Sequence, residues 1–304
     1  MTEAQPDALD SPRPSRPPGT LVGVLRGTRE VRTLGTADRE AALELCALDP
    51  AAGVYVAARI GEVNLEQARG ALLGYFPQGR LSALCWASAN IVPVNCDEQA
   101  AEAFARQLRR HQHRYSSIFG PQRAVEAMWR VLQGSWRAPR EIRNPQLLMA
   151  FPPGQATGVA PDPRVRQAAF AELDILAPAA AAMFEEEIGY PPFRDVAGRI
   201  GYRNNVRTLI SRGHSFVLVQ DEQVIFKADI GSAGVGAAQI QGVWVDPAMR
   251  GRGIAAPAMA AVVELASQVA PLVTLYVNDF NHPAIATYER VGFDTVGAFA
   301  TILF

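Results

Sequence analysis

The chain has 304 residues and a mass of 32.8 kDa, 49% hydrophobic and 19% charged. That composition supports a large buried core, and the length is that of about two domains. The 29 basic and 30 acidic residues leave a formal net charge of −1, which removes any whole-chain argument for electrostatic capture by nucleic acid or an anionic membrane. No run approaches the roughly 20 apolar residues of a membrane-spanning helix, so the expectation is a soluble globular protein with no membrane or nucleic-acid partner. Three cysteines, Cys46, Cys85 and Cys96, form no CxxC pair and read as small buried hydrophobes of a reducing, cytoplasmic compartment.

Residues 1–20 carry Pro6, Pro12, Pro14, Pro17 and Pro18 among Asp, Ser and Arg, without a basic start followed by an apolar run. They read as a disordered tail, not a signal peptide. A first domain is expected over 21–150. Glu30 to Leu34 reads as a strand and Asp38 to Leu48 as a helix. Leu72 to Phe76 and Leu81 to Val92 read as a strand hairpin turning at Pro77 to Arg80. Asp97 to Arg109 reads as an amphipathic helix, Ser116 to Phe119 as a short strand and Gln122 to Leu132 as a second helix. Proline and glycine crowd residues 151–163 without apolar periodicity, which marks a linker.

A second domain is expected over 164–304, with the coarse order of the first. Strands are predicted at Val165 to Ala169, Ser215 to Val219, Val224 to Ile230, Ala238 to Val245 and Leu272 to Val277, with a last one ending at Phe304. Helices are predicted at Leu173 to Glu187, Arg194 to Ser211, Gly253 to Gln268 and Pro283 to Val291. The fold class is α/β (α+β), with a mixed, mostly antiparallel sheet flanked by helices in each half.

The most informative stretch is Val243-Trp244-Val245-Asp246-Pro247-Ala248-Met249-Arg250-Gly251-Arg252-Gly253-Ile254-Ala255-Ala256. A strand ends, a turn follows and glycines open a helix. Such a segment gathers backbone N–H groups into a concavity at the positive end of a helix, which suits a pyrophosphate. Gly251 and Gly253 allow close approach, and Arg250 and Arg252 add charge. A plain glycine-rich connection is the other reading that these residues alone permit.

Arg250 to Ala255 matches the R/Q-x-x-G-x-G/A signature, and Asn278 to Phe293 reads N-D-F-N-H-P-A-I-A-T-Y-E-R-V-G-F. In both stretches the chain resembles the GNAT superfamily of acyl-CoA-dependent N-acetyltransferases, over about Arg164 to Phe304. The resemblance implies acetyl-CoA as co-substrate, no metal, and a primary amine on a small molecule or protein as acceptor. It implies that the strand ending at Val245 splays from Leu272 to Val277 and frees main-chain groups at Val243, Trp244 and Val245 for the pantetheine arm. The N–H near Val243 would face the thioester oxygen. Gly251, Arg252, Gly253, Ile254, Ala255 and Ala256 would supply amides to the diphosphate. Asn281 would touch the pantetheine end, and Tyr288 would stand near the sulfur.

An amine of pKa about 10 must lose a proton to attack, and a thiolate of pKa about 8.5 must gain one to leave. Tyr288 is the expected acid; an amphipathic core tyrosine is the alternative. The glutamate that many GNAT enzymes place before the arginine-bearing turn is replaced by Gln239 in the run Ala238-Gln239-Ile240-Gln241, and a glutamine cannot accept a proton. A water held by Gln239 or Gln241, a carboxylate from elsewhere, or an acceptor that arrives neutral remain as options. Glu185, Glu186 and Glu187 end a helix before Gly189-Tyr190-Pro191-Pro192, an unfavourable charge placement for the helix dipole. They read as a solvated acidic face or as an acceptor site in which Glu187 attracts a cationic amine.

Other signals carry less. Gly234-Val235-Gly236 opens no helix and reads as a turn, not a dinucleotide fingerprint. His111 and His113, in a run with Arg106, Arg109, Arg110 and Arg114, lack the spacing of a metal site and read as cations completing a helix end. The first half parallels the second closely enough to be a degenerate copy. Where its phosphate turn should fall it reads Val94-Asn95-Cys96-Asp97-Glu98, without glycine and with two carboxylates that repel a diphosphate. This half is therefore expected not to bind CoA. A non-catalytic acyl-CoA sensor or scaffold is the rival to an enzyme.

Overall fold

The computed structural model describes residues 30–68 and 70–304, and the stretch read as a disordered tail lies outside the described residues. The first half runs β1 (Val31–Thr33), α1 (Arg39–Ala47), α2 (Pro50–Glu62), β2 (Leu72–Tyr75), β3 (Ala83–Ala87), β4 (Asn90–Val94), α3 (Glu98–Leu108), β5 (Ser117–Pro121), α4 (Gln122–Leu132) and β6 (Glu141–Phe151). The second runs β7 (Arg166–Gln167), α5 (Leu173–Ile188), α6 (Val196–Ser211), β8 (Ser215–Gln220), β9 (Gln223–Gly234), β10 (Ala237–Val245), α7 (Ala255–Ser267), β11 (Leu272–Asn278), α8 (His282–Val291) and β12 (Asp294–Leu303).

Local chemistry accounts for most of these elements. Asp97 caps α3 by accepting from the Ala100 N–H at 2.8 Å, and Ala101, Phe104, Ala105 and Leu108 form its buried stripe at helical spacing. Gly292, at φ +116°, ends α8 in the left-handed conformation.

The structure corrects three readings. Leu81 to Val92 is two strands, β3 and β4, which pair antiparallel with Leu84 opposite Val94 and Ala87 opposite Ile91. No element was assigned between the first helix and β2, yet α2 forms there: Asp49 accepts from the Ala52 N–H and Pro50 occupies the first turn. No element was assigned to 141–151 either. Pro145 interrupts that run, but it falls where the β6–β12 ladder slips between the Phe299 and Thr301 pairings, and β11 ends opposite Gln146. The missing N–H therefore costs no ladder bond.

All twelve strands of the described residues join one sheet in the order β1-β2-β3-β4-β5-β12-β6-β11-β10-β9-β8-β7. The halves exchange strands at the centre, where β6 of the first half lies between β11 and β12 of the second, and β12 lies between β5 and β6. Every pairing is antiparallel except β4 with β5 and β10 with β11. These are one pair in each half, crossed over by α3 and α7 respectively, which is the internal repetition anticipated from the order of elements. Residues 152–163 carry the chain from the middle of the sheet to its far edge, held by Gly158 N–H to Val291 O at 2.8 Å and Asp162 N–H to Pro257 O at 3.0 Å.

Helix α7 packs an apolar cluster of Phe226, Ile230, Ile240, Met259, Val262 and Leu275 on one face of the second half. Helices α5 and α6 cover the other face through Leu176, Val206, Ile210, Val217 and Trp244.

Candidate active site

The site is built by a failure of pairing. Strands β10 and β11 run parallel only through Ala237 with Leu272, Ala238 with Val273 and Gln239 with Thr274. Beyond that point they diverge, so the edge of β10 that faces β11 lacks a partner strand from Ile240 to Val245. On its other edge β10 slips register against β9 between Gln241 and Trp244, a β-bulge containing Gly242 and Val243. The strand ending at Val245 thus parts from Leu272 to Val277, and it does so after Gln239, with Val243 and Trp244 on the unpaired stretch.

The turn after β10 is open. Gly251 and Gly253 adopt φ +74° and +76°, and an added Cβ on either would meet nothing within 4 Å. Helix α7 starts at Ala255 with no side chain capping it. The amides of its first turn thus stand beside two exposed glycines, the chemistry of an anion site. Donor-rich main chain, an unpaired strand edge and an open turn fit the diphosphate and pantetheine arm of an acyl-CoA. The corresponding helix of the first half, α3, is closed by its own Asp97, and the concavity there, about 520 Å³, is lined by Asp97, Glu98, Gln99 and Glu102.

The two arginines of the turn differ. Arg252 is exposed. Arg250 grips the Glu186 carboxylate with both terminal nitrogens, at 2.7 Å to each oxygen, and donates from Nε to Val245 O at 3.1 Å. Glu186 also accepts from Trp244 Nε1 at 3.3 Å. Arg250 thus ties the turn to the end of α5, and Val245 O is already engaged.

Tyr288 of α8 is buried, its ring 5.9 Å from that of Phe293. Burial first, and the nearby Glu187 carboxylate second, push its phenol above the ordinary tyrosine range. The same two causes, in the same order, push Tyr276 up to about 12. Glu187 and Tyr288, 101 residues apart in sequence, are thus brought into one electrostatic neighbourhood. Asn281 caps α8 by accepting from the Ala284 N–H at 3.3 Å and is exposed. Gln239 is buried at the point where the strands part.

Several residues of the site escaped the sequence reading. Arg143 of β6, its side chain 7% exposed, donates to Glu187 Oε1 at 3.3 Å, to Glu187 O at 2.9 Å and to Glu141 Oε1 at 2.8 Å. It belongs to the strand that was not predicted, so the first half supplies the partner of a second-half carboxylate. Lys227 and Asp229, buried beneath the bulge, carried a legible signal: opposite charges at i and i+2 on one face of an apolar strand.

Residues 179–293 match the family model described as Acetyltransferase (GNAT) family, and residues 70–176 match one described as Domain of unknown function (DUF4081). No curated protein matches the chain. Among solved structures, the chain is similar to a GCN5-related N-acetyltransferase from Sphaerobacter thermophilus, at 16% identity and a TM-score of 0.59 over 90% of this chain and 94% of that one. It is also similar to an acetyltransferase from the GNAT family of Colwellia psychrerythraea, at 13% identity and 0.52 over 90% and 99%. A tandem GNAT protein from the clavulanic acid biosynthesis pathway aligns at 15% identity and 0.50 over 90% and 97%. At such identities the likeness is one of fold, and it extends over both halves.

Proposed function

We propose that this chain, a two-domain protein of the acetyltransferase (GNAT) family, transfers an acetyl group from acetyl-CoA to a primary amine by direct attack in a ternary complex. The observation that carries the reading is the parting of β10 from β11 after Gln239, next to an uncapped helix and an open glycine turn. We place the catalytic unit at 164–304 completed by β6, the linker at 152–163 because Phe151 closes β6, and in 21–150 a unit that does not bind CoA.

In this reading the amides of Gly251, Arg252, Gly253, Ile254, Ala255 and Ala256 hold the diphosphate, with Arg252 adding charge. Arg250 acts indirectly, fixing the turn through Glu186. The main chain at Val243, Trp244 and Val245 lines the arm, and Asn281 closes its far side. The bound thioester supplies an activated acyl carbon. Glu187, oriented by Arg143, draws the cationic amine into the cleft, where it gives one proton to solvent water. The neutral nitrogen then attacks the acyl carbon, the C–S bond breaks as Tyr288 donates its proton to the departing sulfur, and the proton shed by the new amide nitrogen restores the phenol through water. Cysteine relay is disfavoured by chemistry as well as by position. Burial pushes the thiols of Cys46 (to about 12), Cys85 and Cys96 up, so none is a thiolate at neutral pH. The enzyme is read as cytoplasmic, and among the described residues no helix is long and apolar enough to cross a membrane.

A second reading, an acyl-CoA sensor without turnover, is favoured by two observations. Gln239 is buried at the parting of the strands, and Glu187 is held by Arg143. Thiol release from acetyl-CoA across a panel of primary amines decides between them. The enzyme requires amine-dependent release, whereas micromolar binding with no release for any amine supports the sensor. In either case Gly253→Asp places a negative charge at the diphosphate and abolishes CoA binding by calorimetry; unchanged affinity would mean that the turn is not the anion site.

A further inference from the structure

We propose that Lys227 is a positioning residue whose ammonium sets the direction of the Val243 N–H by holding the Gly242 carbonyl. Its side chain is 1% exposed, and a buried ammonium is retained only when its donors are satisfied. Nζ donates to Asp229 Oδ2 at 2.6 Å and to Gly242 O at 2.8 Å. Asp229 is fixed in turn by the Ser215 hydroxyl, which donates to Oδ1 at 2.6 Å. The chain of contacts thus ends on the main chain of the bulge. Lys227 lies opposite Trp244 in the β9–β10 register, just past the slip.

Two features make this more than an internal ion pair. Gly242 has φ +59°, and a Cβ there would stand 2.9 Å from Lys227 Nζ and 3.2 Å from Asp229 Oδ2, so the backbone is shaped around the ammonium. A trans peptide also holds its C=O and N–H in opposite directions. Fixing the Gly242 oxygen on Lys227 therefore fixes the Val243 N–H in the opposite sense. That N–H is the one assigned to the thioester oxygen, so the inference deepens the acyl-CoA reading and rests on it for its functional consequence.

The test compares CoA with 3′,5′-ADP, which reaches the glycine turn but lacks the pantetheine arm. Lys227→Met is expected to weaken CoA binding at least tenfold while leaving 3′,5′-ADP within twofold, and to speed amide exchange at Trp244, which lies opposite Lys227 in the β9–β10 ladder, at least tenfold without ligand. Ser215→Ala, which keeps the ion pair, is expected to act in the same sense by two- to fivefold and serves if Lys227→Met does not fold. Equal losses for both ligands, or unchanged exchange at Trp244, overturn the proposal. Wild-type protein that binds neither ligand overturns the acyl-CoA reading instead, while the exchange measurement still decides the role of Lys227.

Discussion

At the scale of single residues, the proposed chemistry rests on Tyr288 and Glu187. A phenol raised by burial and by a neighbouring carboxylate stays protonated across the working range, which a proton donor requires. Tyr288→Phe is expected to lower turnover by about 10²-fold with CoA affinity within twofold, as read by kcat against calorimetric Kd. The wild-type rate is expected to show no decline from Tyr288 ionisation up to about pH 10, the ordinary phenol value. A fall beginning near pH 9 that vanishes in Tyr288→Phe would contradict the raised phenol. Glu187 asks for a different logic. Its oxygen is shared with Arg143, so the role proposed for it is to attract and orient a cation, not to remove a proton.

At the scale of elements, the turn after β10 and the end of α5 act as one piece through Arg250 and Glu186. Hydrogen bonding to Arg250 is the first cause that holds the Glu186 carboxyl below the usual glutamate range. The unfolded value is about 4.3, so the contribution of the pair is fully present above that pH and is lost as pH falls through the lower folded value. Both side chains are close to half exposed, so the effect on global stability is small. Its effect is local: Glu186→Gln is expected to speed amide exchange across residues 247–254 and weaken CoA binding three- to tenfold, and the wild-type turn is expected to loosen likewise in acid. Exchange that is equal in wild type and variant would show that the turn holds itself.

At the scale of the whole molecule, the exchanged strands make the halves interdependent. Without β6, strands β11 and β12 would each present an unpaired edge at the centre of the sheet, a template for aggregation. A fragment of residues 164–304 is expected to be insoluble, whereas one of residues 140–304, which keeps β6, is expected to show more soluble protein and a cooperative melt. Equal solubility would show that β6 is dispensable. The same burial sets an alkaline limit. Tyr202 and Tyr276 are pushed up to about 12, first by burial, while unfolded tyrosines ionise near 10. Their contribution is intact below about pH 10 and drains away as pH rises from there toward the folded values, a decline that urea unfolding between pH 9 and 11 measures.

The two motifs and their strand and helix contexts were legible in sequence because they are local. Glycines in the turn after β10 and apolar alternation in β8 to β11 each leave a mark within a few residues. The acidic start of α3, on which the proposed lack of CoA binding by the first half rests, is equally local. What no window along the chain could reveal was the placement of β6, because its Pro145 is acceptable only where a ladder slips and a neighbouring strand ends. Arg143 therefore remained hidden, and with it the partner of Glu187. The pairing of Arg250 with Glu186 likewise depends on where α5 ends relative to the turn, and the support of Gly242 by Lys227 depends on the register of β9 against β10. Sequence determined the types of most elements, though not α2 or β6, and the place of the open glycine turn, since those rest on backbone conformation and short-range periodicity. The tertiary structure alone decided which charges meet, because burial and distance are properties of the packed chain.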